Sequence, residues 1–143
     1  MKTIHSFNKV LMATVIFLFA SLMQHQALGQ NAQTCEDIVL QIYQGVNQQK
    51  GKHLVPYLSK DFSMAGQKGE LAQEIFPVFI SSLKDKVTDI EKVSEKRTDV
   101  LTLVYEAKFE DMGVRKSTFV FDKHNKLILM DLLPTQVKHQ KGK

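Results

Sequence analysis

Residues 99–131 read DVLTLVYEAKFEDMGVRKSTFVFDKHNKLILMD, and this stretch decides the fold class. From Leu101 the odd positions are Leu101, Leu103, Tyr105, Ala107 and Phe109, while the even positions end in Glu106, Lys108 and Glu110. A pleated strand, whose side chains alternate between two faces, sorts residues this way. After Asp111-Met112-Gly113 the pattern resumes with Phe119 and Phe121 on one face and Thr118 and Val120 on the other. Asp122 to Lys126 then makes a second polar turn before the apolar run Leu127 to Leu133. Two or three antiparallel strands with one greasy face and one wetter face are expected. Upstream, Val87 to Arg97 has Ile90 and Val93 three apart among charges, the pattern of a twisted or bulged edge strand.

The chain before these strands has helical spacing. Thr34 followed by Asp37 resembles a capping box, and Ile38, Val39, Ile42, Tyr43 and Val46 fall on one side of the helix it opens. That helix is expected to reach about Lys50, with Gly51 as its left-handed cap. Gly45 inside it costs about 1 kcal/mol relative to alanine, which implies a neighbour packed close. Leu54, Val55, Tyr57 and Leu58 suggest a short helix or turn with Pro56 in its first turn, ended by Ser59-Lys60-Asp61. Phe62 to Met64 reads as a short strand or extended rim, and Gly66-Gln67-Lys68-Gly69 as a loop forming the lip of a cavity. Glu70 starts a further helix that buries Leu71, Ile75, Phe76, Phe79, Ile80 and Leu83 and is kinked at Pro77. The class is α+β: helices packed on a curved antiparallel sheet.

The two ends read differently from this body. Lys2, His5 and Lys9 precede an apolar run from Val10 to Met23, and Ala27-Leu28-Gly29 suits a signal peptidase, so residues 1–29 are expected to be a cleaved export signal. The run is shorter than the roughly 20 residues of a membrane-spanning helix, and no stable insertion is expected once the signal is removed. Cys35 follows Ala32-Gln33-Thr34 without the apolar residue a lipidation site requires, which favours a secreted or periplasmic protein free of lipid. As the only cysteine, Cys35 leaves the domain, 30–137, to stand on its hydrophobic core. Setting aside Lys2 and Lys9 of the leader and Lys138, Lys141 and Lys143 of the tail leaves 14 of the 19 basic residues against 15 acids. The body is close to neutral and nucleic acid is not an expected partner, because a nucleic-acid surface carries its charge as a patch on the domain. Residues 138–143 are expected to be a disordered basic tail.

The order of elements, with Ile42-Tyr43 to Asn47 in the first helix, Tyr57-Leu58-Ser59-Lys60-Asp61-Phe62 leading into the rim, and the final strand triplet, resembles the nuclear transport factor 2-like superfamily, which includes ketosteroid isomerase and small secreted bacterial domains. The resemblance implies a cystatin-like cone, a sheet curled around helices with a cavity at its open end. Ketosteroid isomerase needs a carboxylate base, a tyrosine and a protonated acid in that cone. By register its tyrosine falls on Tyr43, its base near Gly66 beside Met64 and Ala65, and its acid near Ser117, so two of three roles are unfilled. Phe62-Ser63-Met64-Ala65-Gly66 with the following helix also looks similar to small domains that precede secreted aspartic peptidases. The chain lacks the Asp-Thr-Gly or Asp-Ser-Gly triplet such peptidases use.

Other chemistry has little support. His53, His124 and His139 lack the i, i+4 spacing of a zinc site, and Gly66-Gln67-Lys68-Gly69 is not a phosphate loop. Glu70 and Glu74 sit where acids favour a helix N-terminus. No cofactor or metal is expected. The expected function is non-enzymatic binding of a small apolar molecule or a peptide, with Tyr43, Tyr57, Phe62, Met64, Phe76 and Tyr105 as ligand-binding residues. The alternatives are a cofactor-free isomerase or hydratase using Tyr43 with a carboxylate such as Asp61, and a structural homodimer with a collapsed cavity. Val100, Thr102, Val104, Thr118 and Val120 make an outer face richer in β-branched residues than water usually covers, so a homodimer through that face is expected.

Overall fold

The alternation in residues 101–121 becomes two paired strands of equal length. In the computed structural model, which describes residues 31–133, β4 (Leu101–Phe109) and β5 (Gly113–Phe121) pair antiparallel with every residue in register from Leu101↔Phe121 to Phe109↔Gly113. Their inner face carries Leu101, Leu103, Tyr105, Ala107, Phe109, Ser117, Phe119 and Phe121, all buried, while Thr102, Val104, Glu106, Thr118 and Val120 are half-buried on the other face. The turn between them is tied down by Asp85, whose carboxylate accepts the Asp111 and Met112 amides at 2.9 and 2.8 Å. The expected export signal, 1–29, and the expected basic tail, 138–143, lie outside the described residues.

The other strands extend this pair. β3 (Val87–Arg97) is the edge partner of β4 and carries two register shifts, the bulged edge expected from its charges. β6 (Leu127–Asp131) pairs with β5 on the far side. Beyond it β1 (Leu58–Met64) pairs parallel with β6 and folds back on β2 (Gln67–Lys68), giving the order β2-β1-β6-β5-β4-β3. β1 begins earlier than the sequence suggests. Ser59-Lys60-Asp61 is strand rather than a break, because burial of Leu58 and Phe62 and pairing with β6 outweigh the polar residues between them.

Helices α1 (Ala32–Gln48) and α2 (Glu70–Ser82) pack on the inner face, which makes the molecule an α+β fold with helices against a curved, mostly antiparallel sheet. Three local expectations are corrected. The N-cap of α1 is Asn31, whose side-chain Oδ1 accepts from the Gln33 and Thr34 amides, so Thr34 lies inside the helix. The left-handed C-cap is Gln49 (φ 54°), because Lys50 already turns back to give its N–H to the Gly45 carbonyl, and Gly51 follows with φ −122°. Pro56 lies near the end of the 3-10 helix Lys52–Tyr57, not in its first turn.

Two glycines bring the helices together. A Cβ at Gly45 would meet the Lys50 carbonyl at 2.6 Å, and one at Gly51 would meet the Pro77 backbone at 2.7 Å. Gly45 is therefore the close approach its cost implied, and α2 presses its Pro77 onto the chain just past α1. Within α2, Ala72, Phe76 and Ile80 are buried and Ile75, Phe79 and Leu83 partly so, whereas Leu71 faces solvent, one residue off the buried stripe. Asn47 locks α1 to the sheet by exchanging hydrogen bonds with the Val87 backbone at 2.7 and 2.9 Å.

Candidate functional site

The aromatic residues singled out in the sequence separate into two clusters. Tyr43 of α1 packs edge-on against Phe119 at 5.8 Å and lies 6.4 Å from Tyr105, which itself meets Phe119 edge-on at 6.0 Å. Phe62 of β1 meets Phe76 of α2 edge-on at 5.6 Å. Tyr43, Phe62, Phe76 and Tyr105 are all buried, and such edge-to-face contacts add about 0.5–1.5 kcal/mol each beyond burial. Tyr57 is half-buried at the core's margin.

An open groove of about 700 Å³ lies at one end of the sheet. β1 follows β6 as far as the Ser63↔Leu129 pair and then turns through Ala65 and Gly66 into β2, while the chain of β6 runs on to Leu133. The space between the hairpin and the end of β6 is lined by Met64, Phe79, Met130, Leu132 and Leu133, with Lys68 and Asp131 exposed on its rim. Ala65 (φ 49°) and Gly66 (φ 77°) form the tight turn that gives the groove its lip, the role assigned to this loop from its glycines. Of the six sequence-selected binding residues, Met64 lines the groove and the other five do not. The groove residues from β6 escaped sequence reasoning because a short apolar run reads equally well as core; where the partner strand stops could not be read from it.

Behind Leu132 lies a small polar cluster. Ser117, fully buried on the inner face, donates its hydroxyl hydrogen to the Leu132 carbonyl at 2.7 Å. Among the described residues the buried Tyr43 hydroxyl has no hydrogen-bond partner, and burial pushes its pKa up to about 12, an effect the neighbouring Ser117 hydroxyl offsets only in part. Tyr43 and Ser117 are thus neighbours on the inner face, and neither is a carboxylic acid. The position of its base falls on the Ala65-Gly66 turn, Asp61 is exposed on β1, and no carboxylate bonds to the Tyr43 hydroxyl. Burial and then the Glu36 carboxylate push Tyr105 up to about 12 as well.

Away from the groove, Cys35 is buried near the start of α1, its Sγ 3.6 Å from Asn125 Oδ1, and burial pushes its thiol up to about 11, so it is no thiolate at neutral pH. Lys92 bridges Glu36 and Glu95, which holds Glu95 below the usual carboxylate range; Arg97 adds to that effect. Among the described residues no group of three or more His, Cys, Asp and Glu side chains is placed to hold a metal ion, and no helix is long and apolar enough to cross a membrane.

Neither a family model nor a curated protein matches the sequence. Among solved structures, the epoxide hydrolase/cyclase-like enzyme SalBIII, of pyran ring formation in polyether salinomycin, is similar at 14% identity over 72% of this chain and 92% of that one, with a TM-score of 0.46. A likeness of that degree is one of outline and carries no argument about chemistry. The fold class rests on the strand order and helix placement described above.

Proposed function

We propose that this chain is a non-enzymatic binding domain, and that its ligand, a small apolar molecule or peptide, occupies the groove between the β1–β2 hairpin, Phe79 and the end of β6. The observation that carries this reading is an open volume of about 700 Å³ floored by Met64, Phe79, Met130 and Leu132, whose charged groups, Lys68 and Asp131, stand on the rim. An isomerase or hydratase reading has less support, since the Tyr43 hydroxyl is sealed in the core with no acid or base bonded to it. Titration with N-phenylnaphthylamine, an uncharged dye that brightens in apolar surroundings, tests the proposal. The dye is expected to bind saturably and to bind about tenfold more weakly to Leu133→Glu, which brings a charge into the groove. Unsaturable binding, or equal binding by the variant, would remove the groove as the site.

The outer face supports a homodimer as part of this reading. Val104, Thr118 and Val120 stand together there, half-buried, and both described helices pack on the opposite face. Glu106 and Lys116 pair beside them on that face, so the surface presents both signs of charge to a second copy.

A further inference from the structure

The groove lies where two neighbouring strands part. β1 and β6 run side by side as far as the Ser63↔Leu129 pair; β1 then turns into β2, while β6 stays paired with β5 through Phe119↔Met130 and Thr118↔Asp131. Among the described residues β6 therefore has no strand partner on its β1 side after Leu129. Hydrogen-bonded and non-hydrogen-bonded pairs alternate along an antiparallel ladder, so one of Met130 and Asp131 turns its backbone N–H and C=O away from β5 and toward the groove. An unpaired strand edge of this kind is a template for another extended chain.

The side chains around the gap are sorted by face. Met64 and Met130 stand on the inner face, with Phe79 of α2 and Leu132 beside them. Lys68 pairs with Ser63, Ser63 with Leu129, Leu129 with Val120 and Asp131 with Thr118, which puts both rim charges on the outer face. Lys68 comes from the hairpin wall and Asp131 from the β6 wall, and neither takes part in an ion pair among the described residues. A chain laid between the walls in extended form meets apolar groups with every second side chain and charges of both signs with the others. The chain's own segment after Leu133 does not match this: from Pro134 to Lys143 Val137 is the one large apolar residue, and no acid is present to face Lys68.

We infer that the groove's occupant is an extended segment of another protein, alternating apolar and charged residues, which adds to β6 as a strand in the place β1 vacates; this rests on the groove being the binding site. Its apolar side chains lie against Met64, Phe79 and Met130, and an acid and a base among its outward side chains face Lys68 and Asp131. Main-chain hydrogen bonds to β6 supply affinity, and the alternation decides which side chains enter the groove, as where a peptide extends a sheet edge. The rim charges are exposed, so they add little affinity and act chiefly on register and choice of partner. The ladder is offered from β6 alone, because on the opposite wall the chain of β1 turns into β2.

Displacement of N-phenylnaphthylamine from the full, unmodified chain by the acetylated, amidated peptide VEVKV tests this. The peptide is expected to displace the dye saturably, and the same composition in the order VVVEK to do so about tenfold more weakly, since it cannot put its valines on one face and its charges on the other. Two further peptides separate a strand from a merely apolar ligand: VEVKV N-methylated at its glutamate and lysine, and VEVKV N-methylated at its first and third valines. One of these alternate sets turns its N–H groups to β6 and the other away, so one methylated peptide should bind about tenfold more weakly than the other, the effect of losing one or two backbone hydrogen bonds. Equal displacement by VEVKV and VVVEK, equal displacement by the two methylated peptides, or no displacement by VEVKV of a dye that binds overturns the inference and leaves the groove reading standing. Absence of saturable dye binding removes the groove, and the inference with it, whatever the peptides do.

Discussion

The two faces of β4 and β5 are built from the same backbone ladder and hold very different side chains. On the inner face Leu101, Leu103, Phe119 and Phe121 are fully excluded from water, whereas on the outer face Thr102, Val104, Thr118 and Val120, one residue away along the same strands, are half-buried. Hydrogen bonding within the ladder is common to both, so the contrast isolates side-chain burial. It locates most of the stability on one face and leaves the other available for recognition. A fully buried side chain of this size contributes about 1.5–3 kcal/mol, and inner-face positions also lose packing when they are truncated.

Phe119→Ala gives the largest expected effect. It removes a ring that meets both Tyr43 and Tyr105 and should destabilise the domain by about 3–5 kcal/mol in urea titration. Thr118→Ala, its neighbour on the outer face, should change stability by about 0.5 kcal/mol or less. Similar losses from the two would break the comparison, because the faces would then contribute alike.

Tyr43→Phe sharpens the picture of the inner face. It removes a buried hydroxyl that has no hydrogen-bond partner, so at neutral pH stability should stay level or rise by up to about 1 kcal/mol. The difference should grow in alkali. The unfolded chain releases this phenol's proton near 10.0 and the folded chain near about 12, so between those values the unfolded state holds fewer protons and stability falls as pH rises. The phenylalanine variant should lose stability less steeply over that window. A residual slope remains from Tyr105 and Cys35, whose pKa values are raised in the same sense. Identical alkaline profiles would show that the Tyr43 hydroxyl is in contact with water.

Val104→Lys has the smallest expected effect on the fold and tests what the outer face is for. As the centre of the β-branched patch, Val104 should accept lysine in a folded monomer with nearly unchanged stability, while the unmodified chain sediments as a dimer at micromolar concentration. A monomeric unmodified chain would remove the dimer proposal and leave the patch to a different partner.

Sequence reasoning reached deepest where one residue's surroundings come from its own strand or helix. The alternation from Leu101 to Phe109 reports a face directly, and so do the positions of Ile38, Val39, Ile42, Tyr43 and Val46 along α1. Helix ends were less legible. Asn31 and Thr34 are both good caps, and the choice fell to Asn31, whose amide also donates to Asn125 Oδ1 across the molecule at 2.9 Å, a contact with no local signature.

By itself the sequence determined the α+β class, the bulged character of β3, the inner and outer faces of β4 and β5 and the close approach at Gly45, because each follows from periodicity, charge or a glycine's missing side chain. Only the tertiary structure decided which core residues also border the groove. Met64, Met130 and Leu132 are buried core residues like Phe62 and Phe76, yet they also border an open space, where β1 turns away after the Ser63↔Leu129 pair while β6 runs on. The buried Nε of Arg115, without a hydrogen-bond partner among the described residues, is likewise a tertiary fact, since the strand register alone says only that this arginine lies opposite Ala107.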